Sequence, residues 1–216
     1  MLYVVATPIG DTAEITLRAL EVLKSADVVL CESTKEASKL LKAHGIKAQS
    51  YEVLDEHSKS EDLKSLLEIC RVKTVALVSD CGTPGFCDPG ADLIGLCRKN
   101  KIPVKSVLGA SSLMGLLSLA GRKIPQFYFR GFLPAENEAR RAAWQELKKI
   151  KGAVILMDTP YRLGKMLTET KENFPGRDVL LCLNLSQENE AIFEGSIESV
   201  IKSWNQEKAE FMLLLY

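Results

Sequence analysis

Nothing constrains the fold of this chain more than the alternation of short apolar runs with helical patterns through its first half. "LYVVAT", "DVVLCE", "TVALVS" and "IPVKSV" each read as a strand, the first of them as a buried one, and a helical stretch follows each of them. Parallel strands joined by crossover helices produce this order. "AEITLRALEVLKSA" places Ile15, Leu17, Leu20, Val22 and Leu23 mostly on one helical face. "TKEASKLLKAHG" ends on Gly45 with Lys42 and His44 in its last turn, the side chains that suit a helix C-terminus. A short strand near "KAQSYE", the helices "SEDLKSLLEICR" and "ADLIGLCRKN", and the helix "LMGLLSLAG" after the turn "LGASS" complete one doubly wound unit.

At "GRKIPQFYFRGFLP" the composition turns to Gly, Pro and aromatics, which places a boundary near residues 121–125. The expected lobes are 1–121 and 122–216. Beyond the boundary a first strand ends at "RGFLP", and the elements then mix. They are helix "AENEARRAAWQELKKI", strand "AVILMD", helix "RLGKMLTETKENF", strand "DVLLCLNL" with a hairpin partner "NEAIFEGS", helix "IESVIKSWNQ" and strand "EFMLLLY". The fold class is therefore α/β, with an N-terminal parallel-sheet lobe and a C-terminal mixed α+β lobe.

Lys plus Arg balances Asp plus Glu at 28 each, so no global positive field draws the chain to nucleic acid, and an RNA partner would have to meet a local patch. The uncharged run "VLGASSLMGLLSLAG" is shorter than the roughly 20 apolar residues a membrane span needs and carries several serines and glycines. It predicts a buried helix and no membrane partner. "MLYVVATPIG" lacks a basic segment and a cleavage site, so a cytoplasmic location is expected. No two of the cysteines have the spacing of a zinc hook, so reduced thiols and no metal are expected.

In an open parallel sheet, ligands collect at the carboxyl ends of the strands. Four Gly-containing turns fall at such positions: "TPIGD", "SDCGTPGFCDPG", "LGASS" and "RGFLP". Pro8 and Pro84 fix φ, while Gly10, Gly82 and Gly85 allow backbone shapes closed to other residues, so a ligand can meet bare N–H and C=O groups. Neither G-x-G-x-x-G after the first strand nor a P-loop signature occurs. Asp11, Asp80 and Asp88 suit a ligand with hydroxyl donors or a positive centre, such as a ribose-bearing cation, better than a phosphate.

Plainer roles compete at each position. Asp11 or Thr12 would cap the first helix, and Asp88 would cap "ADLIGLC". Cys81 and Cys87 fit inert thiols, His44 a helix end, and His57 a solvated turn. Arg130 and Arg162 fit surface charges. Arg140 and Arg141, with Lys148, Lys149 and Lys151, are expected on one solvated helix face, diluted by Glu136, Glu138 and Glu146. No G-x-S-x-G elbow supports a serine nucleophile. On residues alone, the chain has a small-molecule crevice in an α/β frame.

Taken together, "LYVVATPIGD", "EITLRALEVL", "ALVSDCGTPGFCDPG", "LGASS", "FYFRGFLP" and "DTPYRL" resemble the tetrapyrrole methylase superfamily in content and order over essentially the whole chain. The nearest resemblance is to its ribosomal-RNA-methylating branch, which modifies a cytidine ribose 2'-hydroxyl in small-subunit RNA. The resemblance implies a two-lobed S-adenosylmethionine-dependent methyltransferase, usually a homodimer, with the cofactor folded between the lobes. It implies cofactor contacts from Pro8, Gly10, Ser79, Asp80, Gly82, Thr83, Gly85 and Phe86, from Gly109, Ala110, Ser111 and Ser112, and from Met157 and Asp158. A ribose hydroxyl needs a base to accept its proton, and Glu32, Lys35 and His57 are the candidates.

Departures from the branch pattern gather on the acceptor side. "GDTAEIT" stands where the branch has G-N-L-x-D-I-T, and "ESTK" where it has E-D-T-R. "DTPYR" replaces E-S-P-H-R, and "LNLSQ" takes the place of R-E-x-T-K. These changes keep two alternatives open: a tetrapyrrole or other small-molecule acceptor, and a homologue that binds cofactor without transferring a methyl group.

Overall fold

The computed structural model describes residues 1–204 and 208–216. The chain divides into two compact units, Met1–Ser111 and Ser112–Tyr216.

The first unit carries a sheet of β1 (Leu2–Val5), β2 (Val28–Cys31), β3 (Tyr51–Val53), β4 (Val75–Leu77) and β5 (Val104–Val107) in the order β3-β2-β4-β1-β5. Every pairing in it is parallel. Its helices are α1 (Leu17–Ser25), α2 (Thr34–Ala43), α3 (Ser60–Val72) and α4 (Ala91–Lys99). Successive side chains of a strand face opposite ways, and both sets here are apolar. Leu2, Val28, Leu30, Val75 and Leu77 pack with Leu66, Leu67 and Cys70 of α3 and Leu93 and Cys97 of α4. Val5, Val29, Ala76 and Val78 pack with Ala19, Val22 and Leu23 of α1 and Ala37 and Leu41 of α2.

Caps set the helix boundaries. The Thr16 hydroxyl accepts the Ala19 N–H at 3.1 Å, so α1 begins later than the apolar pattern suggests and leaves Leu17 exposed at its first turn. Asp11 caps only a short 3-10 turn, by accepting the Ala13 N–H at 2.8 Å. Asp88 does not cap α4: Gly90 does, at φ +130°, with no side-chain bond. A Cβ on Gly90 would lie 2.8 Å from Leu77 Cδ2, so both the backbone shape and the packing require glycine there.

The second unit comprises α5 (Ser112–Leu119), β6 (Phe127–Gly131), α6 (Asn137–Leu147), β7 (Ala153–Asp158), α7 (Leu163–Asn173), β8 (Asp178–Leu183), β9 (Ala191–Ser196), α8 (Ile197–Ser203) and β10 (Phe211–Leu215). Asn205 and Gln206, which the sequence pattern assigns to the last helix, lie outside the described residues. The sheet order is β6-β7-β10-β8-β9, with β6 and β7 parallel and the other pairs antiparallel. This is the mixed sheet expected.

One face of that sheet buries Leu156, Leu181 and Leu213 against α6, α7 and α8. The other buries Ile155, Leu180 and Leu214 against Leu116 and Ala120. That second contact explains why the units divide before α5. The Gly- and Pro-rich stretch at residues 121–125 is a connection inside the second unit.

Candidate functional site

In the first unit, β1 and β4 are neighbours, yet the helix after β1 packs on one face of the sheet and the helix after β4 on the other. Such a switch point opens a crevice at the carboxyl ends of the strands. The loops after β1 and β4 are pinned together there. Thr7 N donates to Gly82 O at 2.8 Å and Gly82 N donates to Thr7 O at 3.1 Å, while the buried Thr7 hydroxyl donates to Ser79 O. The loop after β5 joins them, since the Thr83 hydroxyl donates to Ala110 O at 3.1 Å.

Two glycines let these loops approach so closely. Gly82 has φ +79°. A Cβ on Gly109 would stand 2.9 Å from the Ala6 Cβ. Pro8 is buried, whereas Gly10 and Phe86 face solvent. Pro8, Gly10, Ser79, Asp80, Gly82, Thr83, Gly85, Phe86, Gly109, Ala110 and Ser111 therefore lie on three loops at one end of one sheet.

Carboxylates crowd this end. Glu32 follows β2, and the Ser33 N–H donates to Asp80 Oδ1 at 3.3 Å, which ties the end of β2 to the loop after β4. Burial, then Asp88 and Asp80, push the Glu32 carboxyl up to about 7. Burial raises Asp80, opposed by the Ser33 N–H. It also raises Asp88, opposed by a hydrogen bond from Ser79 and reinforced by Asp80. Each ionised carboxylate makes the next one harder to ionise.

The three candidate bases thus separate. Glu32 is half-buried beside the loop, while Lys35 is exposed on the first turn of α2. The His57 side chain is 84% exposed, with Glu56 at 3.7 Å. Cys81 and Cys87 are exposed thiols, and the other four cysteines are buried and free.

The remaining candidates, Ser112, Met157 and Asp158, belong to the second unit. Asp158 ends β7 with its side chain wholly buried. Its Oδ2 accepts from Arg140 Nη1 at 3.0 Å, and its Oδ1 accepts from Arg162 Nη1 at 3.2 Å and from the Thr159 N–H at 2.9 Å. Its carboxylate is therefore committed to neighbours within the unit. Met157 is half-buried and pairs with Met212 across the sheet.

Arg140 does not lie on a solvated helix face, as the charge pattern suggests. It is 2% exposed, and its Nε donates to both Glu169 oxygens, at 3.0 and 2.7 Å. Its spacing to Ala143, Trp144 and Leu147 was the signal: Arg140 shares the buried stripe of α6 with them. Arg141, Lys148, Lys149 and Lys151 are exposed, as expected.

The crevice suits one chemical type of ligand. Three carboxylates would repel a phosphate but would attract a cationic centre and accept hydrogen bonds from ribose hydroxyls. S-adenosylmethionine, with its sulfonium and its ribose, meets both conditions.

Comparison with known proteins identifies the class. Residues 1–201 match the family model described as Tetrapyrrole (Corrin/Porphyrin) Methylases. The chain is 37% identical to the ribosomal RNA small subunit methyltransferase I of Neisseria meningitidis serogroup A over 219 residues, covering 100% of this chain and 75% of that protein. The same-named protein of Leptospira biflexa is 36% identical and 90% covered, by 100% of this chain.

Among solved structures, uroporphyrin-III C-methyltransferase of Thermus thermophilus, complexed with S-adenosylhomocysteine, aligns with a TM-score of 0.67 at 19% identity, covering 99% of this chain and 96% of that one. A diphthine synthase aligns with a TM-score of 0.73 at 15% identity, covering 99% and 89%. This chain belongs to the tetrapyrrole methylase family of S-adenosylmethionine-dependent methyltransferases.

Proposed function

We propose that the chain methylates a cytidine ribose 2'-hydroxyl in small-subunit ribosomal RNA. Identity of 36% or more along the whole chain to relatives named for that RNA carries the reading. The crevice chemistry agrees with it. S-adenosylmethionine supplies an electrophilic methyl group on a cationic sulfur. Residues 79–86 and 109–111, with Pro8 and Gly10, hold it by backbone shape, and Asp80 and Asp88 face its hydroxyls and positive charge. Glu32, held near 7 by burial and its acidic neighbours, accepts the proton of the attacking hydroxyl. Lys35 and His57, at the surface, help to seat the RNA.

The protein works in the cytoplasm as a homodimer. Edge strand β6 exposes Phe127 and Tyr128, the kind of surface a second copy would cover. Light scattering at micromolar concentration tests this, and a mass of a single chain there would refute it.

To test the activity, purified protein is incubated with methyl-labelled cofactor and small subunits that lack the modification. The expected outcome is one labelled cytidine whose 3' phosphodiester resists alkali, because a methylated 2'-hydroxyl cannot attack it. Label on a base, or none where a full-length relative succeeds, would overturn the reading.

A further inference from the structure

Helices α6 and α7 of the second unit flank a cavity of about 350 Å³ lined by Asn137, Arg140, Arg141, Trp144, Lys165 and Glu169. Three cationic side chains and one carboxylate line it, and because Arg140 is also paired with the buried Asp158, the surplus charge rests on Arg141 and Lys165. Glu169 is already neutralised, because its oxygens accept from Arg140 Nε and from Trp144 Nε1 at 3.1 Å, with Lys165 Nζ 3.8 Å away. At the rim, Arg141 and Lys165 are exposed.

Arg140 supplies the second observation. Its Nε is taken by Glu169, and its Nη1 by Asp158 and by the Pro134 carbonyl at 3.2 Å. Its Nη2 is buried and has no hydrogen-bond partner among the described residues. A buried charged donor left without an acceptor is costly, and native structures rarely keep one without a use. Among the described residues, every acceptor that approaches this guanidinium leaves that one nitrogen over, and it belongs to a side chain that lines the cavity.

We propose that this cavity is a binding site for a phosphate group. The exposed Arg141 and Lys165 close on its oxygens with charge-assisted bonds, the pairing in which guanidinium and phosphate geometries match best, and a small shift of the Arg140 side chain, whose Nη2 is closed to water at rest, brings that spare donor to one of them. The cavity exceeds the size of one phosphate, so the group can arrive attached to a larger molecule. Two sources share this chemistry: the backbone of a ribonucleotide chain and free phosphate. The acidic crevice of the first unit has the opposite preference.

The test follows the indole N–H signals of the two tryptophans by NMR while inorganic phosphate is titrated against chloride at constant ionic strength. The Trp144 signal should move saturably with phosphate, and that of Trp204 should move much less. Replacing the two exposed cations together, Arg141→Ala with Lys165→Ala, should weaken the response at least tenfold while leaving the spectrum folded. A Trp144 signal that responds equally to chloride, or that is unchanged in the double variant, would overturn the site.

A second arm uses a short single-stranded ribonucleotide oligomer. Saturation of the same signal at lower concentration, reversed by phosphate, assigns the site to an RNA backbone; a response to inorganic phosphate alone assigns it to the free ion. The readout is binding, so it stands whether or not the methylation assay succeeds.

Discussion

The two units treat buried carboxylates in opposite ways. In the first, Glu32, Asp80 and Asp88 are drawn together at the end of a parallel sheet, where burial raises each of them and nearby carboxylates add to it: Asp88 and Asp80 on Glu32, Asp80 on Asp88, and Glu36 on Asp80. In the second, Asp158 is more deeply buried still, yet it is held between Arg140 and Arg162, while Glu169 takes the other edge of Arg140. An acidic group kept short of cations is ready to accept a proton or face a cation. One clamped by two guanidiniums fixes where a strand and two helices meet. The same residue type serves reactivity in one place and architecture in the other, and the neighbours decide which.

The largest effect should come from breaking the clamp. Arg140→Met leaves the buried Asp158 with Arg162 as its one cation and takes the guanidinium from the partly buried Glu169, and it should cost about 3–5 kcal/mol of stability in urea denaturation. A loss below about 1 kcal/mol would mean that the clamp is solvated and the contrast between the units is false.

On the first unit, Glu32→Gln should lower the methyl-transfer rate about a hundredfold with cofactor affinity kept within a few-fold. The wild-type rate should rise with pH through about 7, as the base deprotonates, and the variant should lose that limb. An unchanged profile would remove Glu32 from the proton transfer.

Asp80→Ala should weaken S-adenosylmethionine binding about tenfold by calorimetry, the loss of roughly one charge-assisted contact worth about 1.4 kcal/mol. If affinity holds, the loop contributes its backbone alone.

The smallest effect is on stability. Because the folded protein raises the Glu32 carboxyl to about 7, the unfolded chain gives up that proton more easily, and stability falls as pH rises through about 7. Glu32→Gln should therefore stabilise the fold at pH 8 by about 1 kcal/mol, the half-exposed site being screened by solvent, and should have no such effect near pH 4. Equal gains at both pH values would point to packing instead of charge.

Much of this was legible in the sequence. Strand "AVILMD" and helix "SEDLKSLLEICR" occupy the stretches their apolar patterns mark, give or take a residue, and the parallel and mixed sheets follow from element order. The glycine-punctuated loops and their place at the strand ends were readable too, because Pro and Gly restrict or free the backbone wherever they stand. Less visible was the start of α1, where the hydroxyl of Thr16 outcompetes the apolar pattern, and the allegiance of α5, which its own sequence leaves open.

The sequence by itself determined the period of each element, the glycines its turns require and the family the chain resembles, because these depend on residues near one another along the chain. Only the tertiary structure decided which charges are isolated and which are clamped. Glu32 meets Asp80 and Asp88, and Arg140 meets Asp158 and Glu169, across long separations in sequence. Ionisation and ion pairing depend on distance and burial in space, which no local pattern encodes.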